Sequence, residues 1–278
     1  MLSLISMKRW QKIVCIVLVT ILAIAFSHLQ PATAQQKSNI LVSAGAGLQP
    51  VLEQIKRVYQ QNQPNVNITY NYGSSGSLQR QIEQGAKTDI FISATSHFMN
   101  PLEKQGLLLA NSRKKLLRNE IALVTSKDSV TISNFQDLTK PFVKKIAVGE
   151  PRSVPIGKSA QEIFNYFKIY DQVKSKLVYG RNGPQVLNYV ETGLVDAAIV
   201  HDSNAQASNK VKIVQIAPEK SYTPVVYEVA ILNNSKNISA SQNFVNFLLT
   251  QPARSLFEKY GYKMASAEGR RQEVRRLI

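Results

Sequence analysis

The 278-residue sequence predicts an α/β protein of two Rossmann-like lobes joined by two crossover strands, with a ligand cleft between them. Three observations lead there. Short apolar runs of strand length alternate with apolar residues at helical spacing. The joints between them are glycine turns, as in Gly45-Ala-Gly47, Gly73-Ser-Ser-Gly76 and Gly180-Arg-Asn-Gly183. The βα series also occurs twice, without detectable sequence repetition. The expected organisation is a leader over 1–34, a first lobe over 35–119, a second over 120–224, and a return to the first over 225–278. In sheets of this kind ligands sit at the carboxyl ends of the strands, where the turns are.

The chain opens on Lys8, Arg9 and Lys12, an apolar run from Ile13 to Phe26, and Ala32-Thr-Ala34. The run is short for a membrane span and has the flanks of a secretory signal, so cleavage is expected after Ala34. No small residue precedes Cys15, which speaks against a lipoprotein signal. Cys15 is the one cysteine, so an exported protein would rest on its hydrophobic core rather than on disulfides.

Net charge is +16, but apart from Arg113-Lys-Lys115 and the pairs Arg270-Arg271 and Arg275-Arg276 the basic residues are scattered. Without a basic stripe interleaved with aromatics, this reads as solvated surface rather than a nucleic-acid site. The Arg-rich stretch 269–278 reads as a solvated extension.

Asn39-Ile-Leu-Val-Ser-Ala44 is a buried-strand pattern. After the turn at Gly45, Leu48, Val51, Leu52, Ile55, Val58 and Tyr59 recur at helical spacing. Further strands follow at 66–72 and 88–94, with a helix through Leu78 and Ile82 and a short one ending at Gly106. Beyond the strand Glu120 to Thr125, Lys145 to Gly149 leads through Pro151 to Gly157 into a helix carrying Ala160, Ile163, Phe164 and Phe167. Leu177 to Tyr179 leads into a helix through Val186, Leu187 and Val190, and Ala197 to Val200 ends at His201-Asp202. Val225 to Leu232 returns as a strand, and helices over 241–249 and 253–260 close the fold. The alternation predicts parallel sheets.

The stretch Tyr72-Gly-Ser-Ser-Gly-Ser-Leu78 carries the most chemistry. It joins a strand to a helix, and a helix start exposes unpaired N–H groups and the positive end of the dipole, to which serines add donors. That is the chemistry of an anion site, although Ser and Gly also serve simply as cap and turn. Gly157-Lys-Ser159 lacks the glycine a phosphate-binding P-loop needs five positions earlier, where Arg152 stands. Around Ser75 a hydrolase elbow would need glycine at Ser77. Only His97 and His201 lie beyond the leader, a poor supply for a Ser-His-Asp triad. There is no Cys/His metal spacing. No catalytic residue, cofactor or structural metal is expected.

Several segments in fixed order carry a family resemblance: Leu41-Val-Ser-Ala-Gly-Ala-Gly-Leu48, Gly73 to Ile82, Asp89-Ile-Phe-Ile-Ser-Ala94, Val148-Gly-Glu-Pro151 with Val154-Pro155 and Gly157, Gly193 to Val200, and Phe257-Glu-Lys-Tyr-Gly-Tyr262. Together they resemble the periplasmic molybdate-binding proteins of ABC importers. The resemblance implies the type II periplasmic binding fold and a monomer that captures molybdate, and tungstate, for a permease in the inner membrane. It also implies an oxyanion held by uncharged donors from five segments. Ser75 matches one serine of that set. Gly47 stands where the family has another, so the hydroxyl is lost. Ile156 and Gly183 take the backbone-donor positions, and His201 takes the place of a tyrosine.

A ring nitrogen of His201 could donate in the phenol's stead. An ordinary pKa near 6.5 would let it charge as the dianion arrives, so that affinity falls as pH rises. Alternatively His201 points away and Asp202 caps the next helix. Arg152 and Lys158 would be rim charges that speed anion arrival. The rival readings are a binder of sulfate or phosphate and, from another class, an exported phosphate-ester hydrolase, which turnover of a generic phosphate ester would reveal.

Overall fold

The computed structural model describes residues 37–129 and 132–265. The leader and the Arg-rich stretch lie outside the described residues. The described residues from Ser38 form one compact unit.

The first half of the first lobe runs β1 (Ser38–Gly45), α1 (Gln49–Asn62), β2 (Val66–Gly73), α2 (Ser75–Glu83), β3 (Ile90–Ser93), α3 (Ser96–Lys104) and β4 (Lys114–Asn119). One residue, Glu120, then separates β4 from β5 (Ile121–Ser126), which already belongs to the second sheet. There follow β6 (Ile146–Gly149), α4 (Pro155–Tyr166), α5 (Tyr170–Val173), β7 (Leu177–Gly180), α6 (Gly183–Glu191), β8 (Ala197–His201), α7 (Asp202–Gln206) and β9 (Val211–Ile216). The chain crosses back into β10 (Val225–Ile231) and finishes with α8 (Ile238–Phe247), α9 (Gln251–Lys259) and β11 (Lys263–Met264).

The first sheet has six strands in the order β11-β4-β10-β3-β1-β2, and the second has five in the order β7-β6-β8-β5-β9. The expectation of parallel sheets needs correcting: both are mixed. β1 pairs in parallel with β2 and β3, and β6 with β7 and β8. The strands adjoining the crossings run the other way, β10 antiparallel to β3 and β4, and β5 antiparallel to β8 and β9. The physical reason is the route. A strand entering from the neighbouring lobe comes from the end opposite to a βα crossover, so it meets its partners head to tail.

The parallel strands are the most buried. Every residue of β3, β6 and β8 is buried, because helices cover both faces of such strands. α1 shows why the spacing produced a helix: Val51, Leu52, Ile55 and Tyr59 make one buried stripe. A large apolar cluster runs through both lobes, from Ile40, Leu52 and Ile92 to Val148, Ile163 and Phe244.

Three strands were not read from the sequence: β4, β9 and the two-residue β11. β4 begins with the basic run after Arg113 and buries Leu116, Leu117 and Asn119. β9, on the edge of the second sheet, sets Lys212 and Gln215 among apolar residues. Lysines on an outer strand protect its edge and mask its pattern.

Candidate functional site

The carboxyl ends of β1, β2, β3 and β8 and the starts of α2, α4 and α6 face one another across a single cavity between the two sheets. Gly45 ends β1 and Ala46 and Gly47 follow it, Gly73 ends β2 and Ser74 and Ser75 open α2, Ala94 follows β3, and Val154, Pro155 and Ile156 lie at the start of α4. Asn182, Gly183, His201, Asn204 and Tyr227 complete it. All five residues singled out in the sequence, Gly47, Ser75, Ile156, Gly183 and His201, therefore line one space. The cavity is small, about 30 Å³ on the measure by which one water needs roughly 10–15 Å³. Its lining carries no carboxylate, lysine or arginine.

Each helix start has its own local logic. Ser74 is the N-cap of α2, its hydroxyl accepting from the Ser77 N–H at 3.3 Å. That frees Ser75, the first helical residue, to turn into the cleft. Ser75 is 1% exposed, and its Oγ accepts from the Ala94 N–H at 3.1 Å, leaving its own proton to donate. Asn182 caps α6 by accepting from the Gln185 N–H at 2.9 Å. In α4, Pro at the first position needs no N–H partner, and the third N–H, of Gly157, goes to Val154 O at 2.9 Å.

What is left over is informative. The N–H groups of Gly47, Ser75, Ile156 and Gly183 donate to no other group among the described residues. Helix starts supply such orphan donors together with a positive dipole end. The cavity is thus lined by donors without cations.

His201 ends β8. Its Nδ1 lies 3.2 Å from the Tyr227 hydroxyl, and its Nε2 is buried with no partner among the described residues. Removal from water pushes its pKa down to about 4. A ring so buried is neutral at pH 7 in the free protein. The alternative that His201 points away is not what the structure shows, and Asp202 makes no side-chain cap on α7. The Asp202 carboxyl accepts instead from Gln206, with its pKa raised by burial.

Arg152 is 92% exposed along its side chain and paired with Glu150 at 3.0 Å. Lys158 lines a neighbouring groove with His97 and Glu162. Asn204, Tyr227, Ser74 and Asn182 were missed. Tyr227 sits in an apolar strand and reads as core. Asn204 sits in a polar run and carries no local signal.

Four contacts close the cleft over this cavity. Asn204 Nδ2 donates to Gly47 O at 3.3 Å and Gly76 N to Ser153 O at 3.1 Å. Asn119 Nδ2 donates to Ser203 Oγ at 2.7 Å, and Tyr227 meets His201 as described.

Residues 40–263 match the bacterial extracellular solute-binding protein family. The chain belongs to that family. This solute-binding protein is accordingly not an enzyme, and its place is outside the cytoplasm. It is 37% identical over 237 residues to YvgL of Bacillus subtilis, provisionally named an ABC transporter substrate-binding lipoprotein, covering 85% of this chain and 90% of YvgL. It is 31% identical over 245 residues to the molybdate-binding protein ModA of Escherichia coli, covering 86% of this chain and 94% of ModA. Among solved structures it resembles the substrate-binding domain of a provisionally named molybdenum ABC transporter from Clostridium difficile. There the identity is 40% and the TM-score 0.66, over 81% of this chain and 98% of the other. The fold is that of the type II periplasmic binding proteins.

Proposed function

We propose that this solute-binding protein captures molybdate, and with it tungstate, and delivers the anion to an ABC-type permease in the inner membrane. It acts as a monomer, after its signal peptide is removed. In this reading residues 35–119 with 225–278 and residues 120–224 are the two bodies that close on the ligand.

The observation that carries the reading is the lining: donors and no charges, with the His201 Nε2 buried and unpartnered. A buried polar atom without a partner costs roughly 1–3 kcal/mol, a cost that a ligand acceptor relieves. In this reading the ring carries its proton on Nε2, with Nδ1 accepting from the Tyr227 hydroxyl 3.2 Å away. Ser75 adds a hydroxyl, and Gly47, Ile156 and Gly183 add backbone N–H groups. Bonds from such donors to an ion contribute roughly 1.5–3 kcal/mol each, so five or more offset desolvation and closure.

An all-donor site also selects chemistry. A fully deprotonated tetrahedral dianion accepts at every oxygen, whereas a protonated phosphate turns one O–H donor against the protein's donors. The small cavity disfavours organic phosphates. The choice of molybdate over sulfate rests on the similarity to the E. coli molybdate-binding protein.

Titration calorimetry of the chain from residue 35, with molybdate, tungstate, sulfate and phosphate, tests this. Submicromolar binding of the first two alone is the expected result. Binding of sulfate or phosphate in their place, or of none of the four, overturns it.

A further inference from the structure

Asn204 is the one cavity-lining side chain that crosses the cleft to touch the backbone of the opposite lobe at the site itself. It sits on α7 of the second lobe, and its Nδ2 donates to the carbonyl of Gly47, in the turn that follows β1. The same carbonyl accepts from the Tyr262 hydroxyl at 2.9 Å, from the first lobe. Gly47 O is therefore held from both sides.

The space around Gly47 is equally telling. A Cβ built on it would lie 3.0 Å from Asn204 Oδ1 and 3.4 Å from Nδ2. The Asn204 amide thus stands in the volume a side chain at 47 would use. Gly183, on the far wall of the same cavity, is also close: a Cβ there would be 3.8 Å from the same oxygen. The amide is wedged between two of the glycines whose N–H groups take no other partner, so its bulk limits the cavity there.

We propose that Asn204 is a specificity-determining residue of this site, setting the size of the cavity beside Gly47 and pinning the Ala46–Leu48 turn when the lobes close. It acts as a positioning residue, and the proposal rests on the oxyanion reading above. Asn204 and Gly47 form a complementary pair: the amide crowds any side chain at 47, and the glycine gives the amide its seat.

A double-mutant cycle separates this from a merely structural role. Wild type, Asn204→Ala, Gly47→Ser and the double variant are titrated with molybdate and with sulfate, after thermal melts show that each is folded. Asn204→Ala should bind molybdate about tenfold or more weakly and discriminate less against sulfate. Gly47→Ser should also lose about tenfold or more, because the new side chain meets the amide. In the Asn204→Ala background the same serine should instead restore affinity to within about tenfold of wild type, its hydroxyl donating where the amide stood.

Equal losses from Gly47→Ser in both backgrounds, or unchanged affinity and selectivity in Asn204→Ala, overturn the assignment. Wild type that binds sulfate and not molybdate overturns the molybdate reading alone, and the cycle is then read on sulfate. Wild type that binds neither anion overturns both.

Discussion

Ser74 and Ser75 are neighbours at the start of α2, and their hydroxyls face in different directions. Ser74 accepts from the helix backbone, whereas Ser75 accepts from Ala94 N–H inside the cleft. Ser74→Ala should cost stability, about 1 kcal/mol as for other lost caps, with molybdate affinity almost unchanged. Ser75→Ala should lower affinity about tenfold or more, and calorimetry beside urea unfolding reads the two quantities separately. His201 makes a pH prediction of definite sign. Its pKa is about 4 in the folded chain and ordinarily near 6.5, so between these values the unfolded chain binds the extra proton. Stability from this group is full above about pH 6.5 and falls as pH drops toward 4, by about 3 kcal/mol at 1.36 kcal/mol per unit. Urea unfolding at pH 7, 5 and 4 should show that loss, and His201→Gln should flatten the difference. Equal slopes in the two proteins would remove His201 as the cause.

At the scale of elements, the glycines decide how close a helix start comes to a strand end. A Cβ on Gly157, in the first turn of α4, would fall 2.1 Å from the carbonyl oxygen of Gly149 at the end of β6. That contact lets the α4 start, with Ile156, approach the cavity. Gly157→Ala should therefore destabilise the second lobe by about 3 kcal/mol or more, visible as a lower urea midpoint. A midpoint within about 0.5 kcal/mol of wild type would show that the helix can retreat freely. The parallel βα units were legible from periodicity because a strand covered on both faces is apolar throughout, as β3, β6 and β8 are. β4 and β9 were not, because Lys114, Lys115 and Arg118 in the one and Lys212 and Gln215 in the other interrupt their pattern. The start of α2 at Ser75, ahead of the apolar positions 78 and 82, was also hidden, since its first turn is held by a cap rather than by packing.

For the whole molecule the question is closure. Gly76 meets Ser153 of the other lobe backbone to backbone, and a Cβ at 76 would come to 2.9 Å from Ser153 Cα and O, and from the Phe98 ring. Gly76→Ala should hold the lobes apart, lowering molybdate affinity about tenfold or more. Small-angle scattering with ligand should give a larger radius than wild type. A variant that compacts on molybdate as wild type does would show that this contact does not limit closure.

By itself the sequence determined the alternation of strands and helices, the glycine turns between them and the donor-rich segments, because each of these is written in residues close together along the chain. Ser75 could be named for that reason, whereas Gly47, Ile156, Gly183 and His201 were named only as the positions the family resemblance implies. Only the tertiary structure decided the antiparallel strands at the crossings, the neutral state of His201, and the entry of Tyr227 and Asn204 into the site. Those depend on which surfaces meet across the cleft and on how much water is excluded there. Neither quantity is a property of any local stretch: Asn204 reaches Gly47 across 157 positions of chain.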